Sequence, residues 1–166
     1  SVKCVRTLLS YDIDLDLTDR ICQHLGVFIA AGGCLDILKD VISETKNTVI
    51  RLVDIPVDIA ALFGSIDIIR YLFLEGVNIQ VSKIYTEPPV MCACQSGHLE
   101  VVEFYLDNGT PIDITDQASG NTLLHYACLG GHADIALNLL ERGADANAAN
   151  KEAIRPIIYA SESGSL

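Results

Sequence analysis

The chain has 166 residues, half of them hydrophobic, and its 22 acidic and 11 basic side chains give a formal net charge of −11. This length and composition allow a substantial hydrophobic core. The acidic charge disfavours nucleic acid and anionic membrane surfaces as partners, because both bind basic protein faces, and the longest uncharged stretch near the start, 21–35, is too short and too broken for a membrane span.

Five glycines recur along the chain at a nearly constant spacing. Successive members are 31, 33, 34 and 33 residues apart, and we call them the turn glycines: Gly33, Gly64, Gly97, Gly131 and Gly164. An alanine or isoleucine lies four residues before each of them, and mostly aliphatic pairs lie four and five residues after the first four. A fixed period near 33 residues is typical of a repeat array rather than of a single globular core.

The best-preserved copy of the repeat runs from Asp116 to Asn147. It contains Thr122-Leu-Leu-His125-Tyr-Ala127, followed by a turn glycine and a histidine. This copy resembles the ankyrin repeat, whose signature includes Thr-Pro-Leu-His-x-Ala. The preceding copy, which contains Gly97-His-Leu-Glu, is also close to that pattern, whereas the copies before Gly64 resemble it mainly by their period.

The resemblance implies an all-α helical repeat solenoid, in which ankyrin repeats of helix-turn-helix form stack side by side and carry hairpin-like loop fingers. We predict a single ankyrin-repeat domain over 1–166 that is a fragment of a longer array. The predicted repeats are 1–20 (partial), 21–53, 54–86, 87–120, 121–153 and 154–166 (partial). Because the interval from Gly33 to Gly64 is two residues short of 33, we expect an irregular finger between Thr45 and Ile55.

Particular residue types have predicted roles in each repeat. Glycine at Gly97 and Gly131 suits the turn between two antiparallel helices, because it adopts left-handed backbone conformations without steric cost. Thr122 is suited to cap the first helix. In the ankyrin family the histidine at the His125 position ties neighbouring loops together by hydrogen bonds, so the resemblance implies a structural role for His125.

The six cysteines raise the question of a metal site. Cys92 and Cys94 lie near His98, but the paired spacing typical of zinc sites is absent. Cys94 and Cys128 share one position of the repeat, directly after its alanine, where a small apolar side chain packs. We therefore predict reduced thiols with no metal and no cofactor, in a reducing compartment. This favours a cytoplasmic location, with association to the cytoskeleton as an alternative.

Catalytic chemistry has little support in the sequence. No recognisable motif places a nucleophile beside His125, and no glycine-rich phosphate-binding loop of the Walker or Rossmann type is present. We therefore predict that this segment is not an enzyme.

The resemblance implies that the first helices of the repeats and the finger tips form a concave binding surface. The residues immediately before four of the turn glycines would lie on it, namely Leu62-Phe63, Gln95-Ser96, Leu129-Gly130 and Glu162-Ser163. The predicted protein-binding residues are Leu62, Phe63, Ile84, Tyr85, Gln95, Gln117, Asn121 and Leu129. Two alternatives stay open: an irregular second repeat could bury Leu62 and Phe63, or an outer surface at Tyr71 and Phe104 could be used instead.

The predicted function is a non-catalytic protein–protein interaction scaffold that binds a protein partner on this concave surface. The acidic charge would attract a basic partner over long range. The alternative is a structural or regulatory segment built into a larger enzyme, channel or cytoskeletal assembly, where other parts of its own chain or complex would cover the same surface.

Overall fold

The computed structural model of the protein describes residues 27–36, 38–39, 57–82 and 85–164. Residues 27–32, 35–36 and 38–39 are helical. The helices that follow are α1 (Val57–Leu62), α2 (Ile66–Leu74), α3 (Pro89–Ser96), α4 (Leu99–Asp107), α5 (Leu123–Gly130), α6 (Ala133–Glu141) and α7 (Pro156–Ser163). No strand occurs in these ranges, where the extended pairing is one isolated antiparallel bridge between Thr115 and Thr122.

The helices form two layers. Inner helices α1, α3, α5 and α7 each end one or two residues before a turn glycine, and α1, α3 and α5 are followed by outer helices α2, α4 and α6. Successive inner helices pack directly against one another, and each outer helix packs against the inner helix of its own repeat. This arrangement confirms the predicted all-α repeat fold.

Glycine, proline and threonine at the helix ends explain where the inner helices begin and end. Gly97 and Gly131 have φ angles of 84° and 74°, the left-handed conformation that closes each helix and reverses the chain. Pro89 and Pro156 occupy the first position of α3 and α7, where the missing N–H costs no helical hydrogen bond. Thr122 stands at the N-cap of α5 in an extended conformation.

The core runs continuously between the two layers. Ala60, Ala93 and Ala127 have no exposed surface, which lets adjacent inner helices approach closely. In outer helix α4 the fully buried side chains are Val101, Val102 and Tyr105, whereas Leu99 and Leu106 pack at its edge. Burial of one such aliphatic side chain stabilises the fold by roughly 1.5–3 kcal/mol.

Some predictions concern residues outside the described ranges. The partial repeat 1–20 and the irregular finger expected between Thr45 and Ile55 both lie there. The repeat boundaries stay a prediction. None of the helices that the structure describes is long and apolar enough to cross a bilayer.

Candidate functional site

The inner helices present a row of exposed side chains just before their turn glycines. Phe63 is 56% exposed and Leu129 is 39% exposed, and Gln95 and Glu162 are also exposed. We call these four residues, one from each of four consecutive repeats, the turn row; Phe63 lies one residue before its turn glycine, and the other three lie two residues before theirs. Leu62, next to Phe63, is half-buried. The sequence left open whether Phe63 would be buried, and the structure shows that it is not.

Two histidines form hydrogen bonds to the backbone beside this row. The Nε2–H of His98 donates to the carbonyl oxygen of Leu62 at 2.9 Å, and that of His132 donates to the carbonyl oxygen of Gln95 at 3.1 Å. Each histidine directly follows a turn glycine and reaches back to the preceding repeat, and we call these two bonds the histidine ties. A Cβ atom on Gly64 would lie 2.5 Å from Nδ1 of His98, so the ring also needs the glycine for its close approach.

Sequence reasoning missed the role of these histidines. It considered His98 only as a neighbour of Cys92 and Cys94 and assigned no role to His132. The available signal was the recurrence of histidine directly after the turn glycine in two consecutive repeats.

The fingers present two of the other predicted site residues to solvent. Tyr85 is 41% exposed, and its N–H donates to the hydroxyl of Ser82 at 2.8 Å. Gln117 is exposed, and its carbonyl oxygen accepts a hydrogen bond from Nζ of Lys151 in the next finger. Ile84 lies outside the described residues.

The prediction that Asn121 contacts a partner is wrong. Asn121 is 7% exposed, and its Oδ1 accepts a hydrogen bond from Nδ2 of Asn150 at 2.8 Å. Its N–H donates to Oδ2 of Asp116 at 2.9 Å, which folds the end of the finger inward. Asn121 therefore joins two adjacent fingers and is not available on the surface.

Asp116 holds the finger that contains Asn121 together by hydrogen bonds. Its carboxylate accepts hydrogen bonds from the N–H and the hydroxyl of Ser119 and from the N–H of Asn121. Burial alone would raise the pKa of Asp116, but the hydrogen bonds from Ser119 and Asn121 outweigh it and hold that pKa below its usual range. The hydroxyl of Tyr126, on inner helix α5, also donates to Asp116 at 3.3 Å.

The first described helical segment adds an exposed aromatic residue that sequence reasoning missed. Phe28 is 44% exposed and lies five residues before Gly33. The equivalent residue of the next repeat, Ile59, is buried. The sequence prediction used only the two positions before each turn glycine on the inner helices, so this position was not considered.

The outer helices are linked by contacts between consecutive repeats. Nζ of Lys39 lies 5.8 Å from the ring centroid of Tyr71, and Cζ of Arg70 lies 5.8 Å from that of Phe104. The ring of Phe73 meets Phe104 edge-on at 5.6 Å. Tyr71 and Phe104 are half-buried, whereas Phe73 beside them is 39% exposed.

The cysteine thiols of α3 and α5 have raised pKa values, and His125 is held by hydrogen bonds. Burial raises the pKa of Cys94 and Cys128, and burial followed by the charges of Asp58 and Glu87 raises the pKa of Cys92 to about 11. His125 is hydrogen-bonded through both ring nitrogens, to Thr122 and to the backbone of Ile154. Within the described residues, no group of three or more histidine, cysteine or acidic side chains could hold a metal ion.

The sequence of this chain is similar to a family of repeat proteins and to several known proteins. Residues 57–150 and 90–166 match a family model described as ankyrin repeats in three copies. The chain is 36% identical over 78 residues to a probable E3 ubiquitin-protein ligase, XBOS32, of Oryza sativa subsp. japonica, with coverage of 47% of the chain and 16% of the relative. It is 31% identical over 108 residues to alpha-latrocrustotoxin-Lt1a of Latrodectus tredecimguttatus, covering 64% of the chain and 8% of the toxin.

A viral relative matches over a larger share of its own length. The putative ankyrin repeat protein FPV230 of Fowlpox virus (strain NVSL) is 26% identical over 132 residues, which cover 77% of the chain and 69% of that protein. By contrast, the chain spans less than a fifth of the ligase and of the toxin.

Proposed function

This chain belongs to the ankyrin-repeat family, whose repeats are protein-interaction modules, and we propose that it acts as a non-catalytic scaffold that binds a protein partner on its concave surface. The residues proposed to carry binding are Leu62, Phe63, Ile84, Tyr85, Gln95, Gln117 and Leu129. No catalytic step is assigned to them.

One observation carries this proposal. Phe63 is the most exposed aromatic side chain among the described residues, and it projects from a turn whose backbone His98 holds in place. Exposed apolar and aromatic groups on a rigid backbone are the usual anchors of protein interfaces. On the outer helices, in contrast, the rings of Tyr71 and Phe104 are already contacted by cations of the preceding repeat.

The charge of the chain supports a basic partner. Its formal net charge of −11 would speed association with a basic protein at low ionic strength. The four cysteines that the structure describes are unpaired, which supports a reducing compartment such as the cytoplasm.

A second candidate is a segment built into a larger assembly. The ligase and toxin relatives are several times longer than the matched region, which favours a parent protein with other parts. In that role the concave surface would be covered by the parent chain or complex and would have no free partner.

The test introduces a photo-crosslinking amino acid at Phe63 in the full-length protein, with Tyr71 as the matched outer-face position. Crosslinks from Phe63 to a separate protein support a scaffold, whereas crosslinks within the same chain support the built-in role.

The captured protein is then purified and titrated against two double variants. Phe63→Ala with Tyr85→Ala should weaken its affinity at least tenfold, because buried aromatic anchors dominate interfaces. Tyr71→Ala with Phe104→Ala should change it less than twofold. Circular dichroism checks that both variants remain helical. The reverse order of effects would place the interface on the outer helices.

A further inference from the structure

From a comparison of two neighbouring pairs of fingers we infer an arginine-binding site, in which the carboxylate of Glu87 and the hydroxyl oxygen of Tyr126 accept hydrogen bonds from a guanidinium group of the protein partner, beside the thiol of Cys92. This inference rests on the proposed concave binding function and adds the side chain that the partner contributes. The three residues are half-buried, so each keeps part of its surface open to solvent.

The last pair of fingers contains an N–H donor between two oxygens. Nδ2 of Asn150 donates to Oδ1 of Asn121 in the preceding finger at 2.8 Å and lies 3.5 Å from the hydroxyl oxygen of Tyr159 on inner helix α7. One amide group therefore joins the two fingers and also reaches a tyrosine of the inner layer.

The pair of fingers before it has the same arrangement of positions. Tyr126 and Tyr159 both lie five residues before a turn glycine, and Glu87 and Asn121 both lie ten residues before one. Glu87 thus corresponds to Asn121, and Tyr126 corresponds to Tyr159.

Asp116 takes the place of Asn150 in this earlier pair. Each of the two side chains accepts two backbone N–H groups of its own finger. Each residue also donates its own backbone N–H to the carbonyl oxygen of the residue ten positions before the following turn glycine. The sequence separation is 29 residues from Glu87 to Asp116 and likewise from Asn121 to Asn150.

The earlier pair lacks the amide donor. Glu87 and Asp116 are both carboxylic acids, and the hydroxyl of Tyr126 donates its one hydrogen to Oδ2 of Asp116 at 3.3 Å. The oxygen of Tyr126 and the carboxylate of Glu87 are left as acceptors. Among the described residues, the side chain of Glu87 forms no hydrogen bond or ion pair. A donor brought by a ligand would complete the arrangement seen in the last pair.

The charges around the site favour a cationic donor. Burial raises the pKa of Tyr126, and the charges of Asp116 and Glu87 raise it further. Burial, followed by the charges of Asp58 and Glu87, raises the pKa of Cys92 to about 11. The charge of Glu87 therefore acts on side chains of both α3 and α5, which pack directly on one another, and the thiol of Cys92 is uncharged at neutral pH.

The described part of the chain supplies no cation to this site. Its lysines and arginines contact rings or carboxylates of the outer helices, contact the tip of a neighbouring finger, or precede α7: Lys39, Arg70, Arg142, Lys151 and Arg155. A basic side chain of a partner would therefore meet uncompensated negative charge here.

The two acceptors select guanidinium among cations. Its planar fork of N–H groups can donate to Glu87 and to Tyr126 at once, whereas an ammonium group is a compact point charge without that geometry. A metal ion fits less well, because no three histidine, cysteine or acidic side chains converge on one point in the ranges that the structure covers.

The test titrates the whole chain with Nα-acetyl-arginine N-methylamide and follows the ring signals of its tyrosines by NMR. Tyr126→Phe identifies the signal of Tyr126 by its loss. The matched probes are the citrulline analogue, which has the same shape without the charge, and the lysine analogue, which has the charge without the planar fork.

The arginine probe should shift the Tyr126 signal and bind about tenfold or more tightly than either matched probe, the scale of one hydrogen bond to a charged group. Glu87→Gln keeps the size of the side chain, removes its charge and should lower the affinity for the arginine probe about tenfold. Glu152→Gln makes the same change at an exposed position of the next finger and should leave that affinity unchanged. Circular dichroism verifies that each variant is folded.

Equal affinities for the arginine and citrulline probes, or for the arginine and lysine probes, would overturn this inference without the use of any variant. An unchanged affinity in Glu87→Gln would also overturn it. The proposed function fails separately, when the affinity of the captured partner depends on Tyr71 and Phe104 rather than on Phe63 and Tyr85.

The captured partner separates the two proposals further. Its affinity should fall in Glu87→Gln and stay constant in Glu152→Gln. A partner that needs Phe63 and is unaffected by Glu87→Gln leaves the concave surface standing and refutes the arginine-binding site.

Discussion

The Nε2–H of His125 donates to the carbonyl oxygen of Ile154 at 3.1 Å, and this bond joins the start of inner helix α5 to the loop that enters α7. Nδ1 of the same ring accepts the N–H of Thr122 at 3.1 Å, so the ring is held in one tautomer. The loop-tying role that the ankyrin resemblance implied for His125 is therefore seen in the structure.

We expect His125→Ala to lower the free energy of unfolding by about 1–3 kcal/mol, because it leaves buried partners without their hydrogen bonds. Urea denaturation followed by circular dichroism measures the change. Glu141→Ala, at an exposed outer-helix position, serves as the control and should stay near the parent value. An unchanged midpoint for His125→Ala would show that the ring does not hold the loop.

Ala153→Gly should stabilise the protein. Ala153 has φ of 59° and is the one non-glycine residue with positive φ among those described. An L-residue in the left-handed region costs roughly 1 kcal/mol, and glycine removes that cost at the expense of a more flexible unfolded chain. A net gain of several tenths of a kcal/mol is expected in urea denaturation. Ala146→Gly, without a positive φ to relieve, should be neutral or destabilising.

Asp116→Asn should change stability in a pH-dependent way. The pKa of Asp116 is lower in the folded state than its ordinary value of 3.8. Its carboxylate therefore stabilises the fold fully above the unfolded pKa, and that contribution is lost as pH falls through the folded pKa. At pH 7 the variant should lose about 1.5–3 kcal/mol, the range for hydrogen bonds to a charged group. The difference between parent and variant should shrink at pH 3. A constant difference at both pH values would contradict the assignment.

Cys92 should react slowly with iodoacetamide. Its pKa rises from an ordinary value of 9.0 to about 11, first because of burial and then because of Asp58 and Glu87. The thiolate is the reactive form, so at pH 8 the rate should fall about a hundredfold below that of a free thiol, in proportion to the thiolate fraction. Mass spectrometry of the native and urea-unfolded chain, labelled side by side, provides the comparison. Equal rates in the two states would contradict the raised pKa.

The repeat period predicted much of the fold because it marks positions where few residue types are tolerated. The left-handed turns at Gly97 and Gly131 need glycine, and the close approach of inner helices needs alanine at Ala93 and Ala127. Such requirements are local, so one sequence suffices to locate them. The same register predicted the exposure of Leu129, whereas it left that of Phe63 open.

Other features depend on partners that the sequence does not identify. Asn121 is buried because Asn150, 29 residues away, bonds to it, and nothing in its local spacing distinguishes it from an exposed finger residue. The acceptors of His98 and His132 are backbone carbonyl groups, which every residue type carries and which therefore leave no pattern in the sequence.

The same property of the histidine ties affects how this surface can change over time. His98 and His132 bond to main-chain carbonyl oxygens. The side chains at Leu62 and Gln95 can therefore be substituted without loss of either hydrogen bond. If the proposed concave surface binds a partner, mutations there would alter what it binds while both hydrogen bonds remain. Selection could therefore retarget the surface one repeat at a time, through intermediates that all fold.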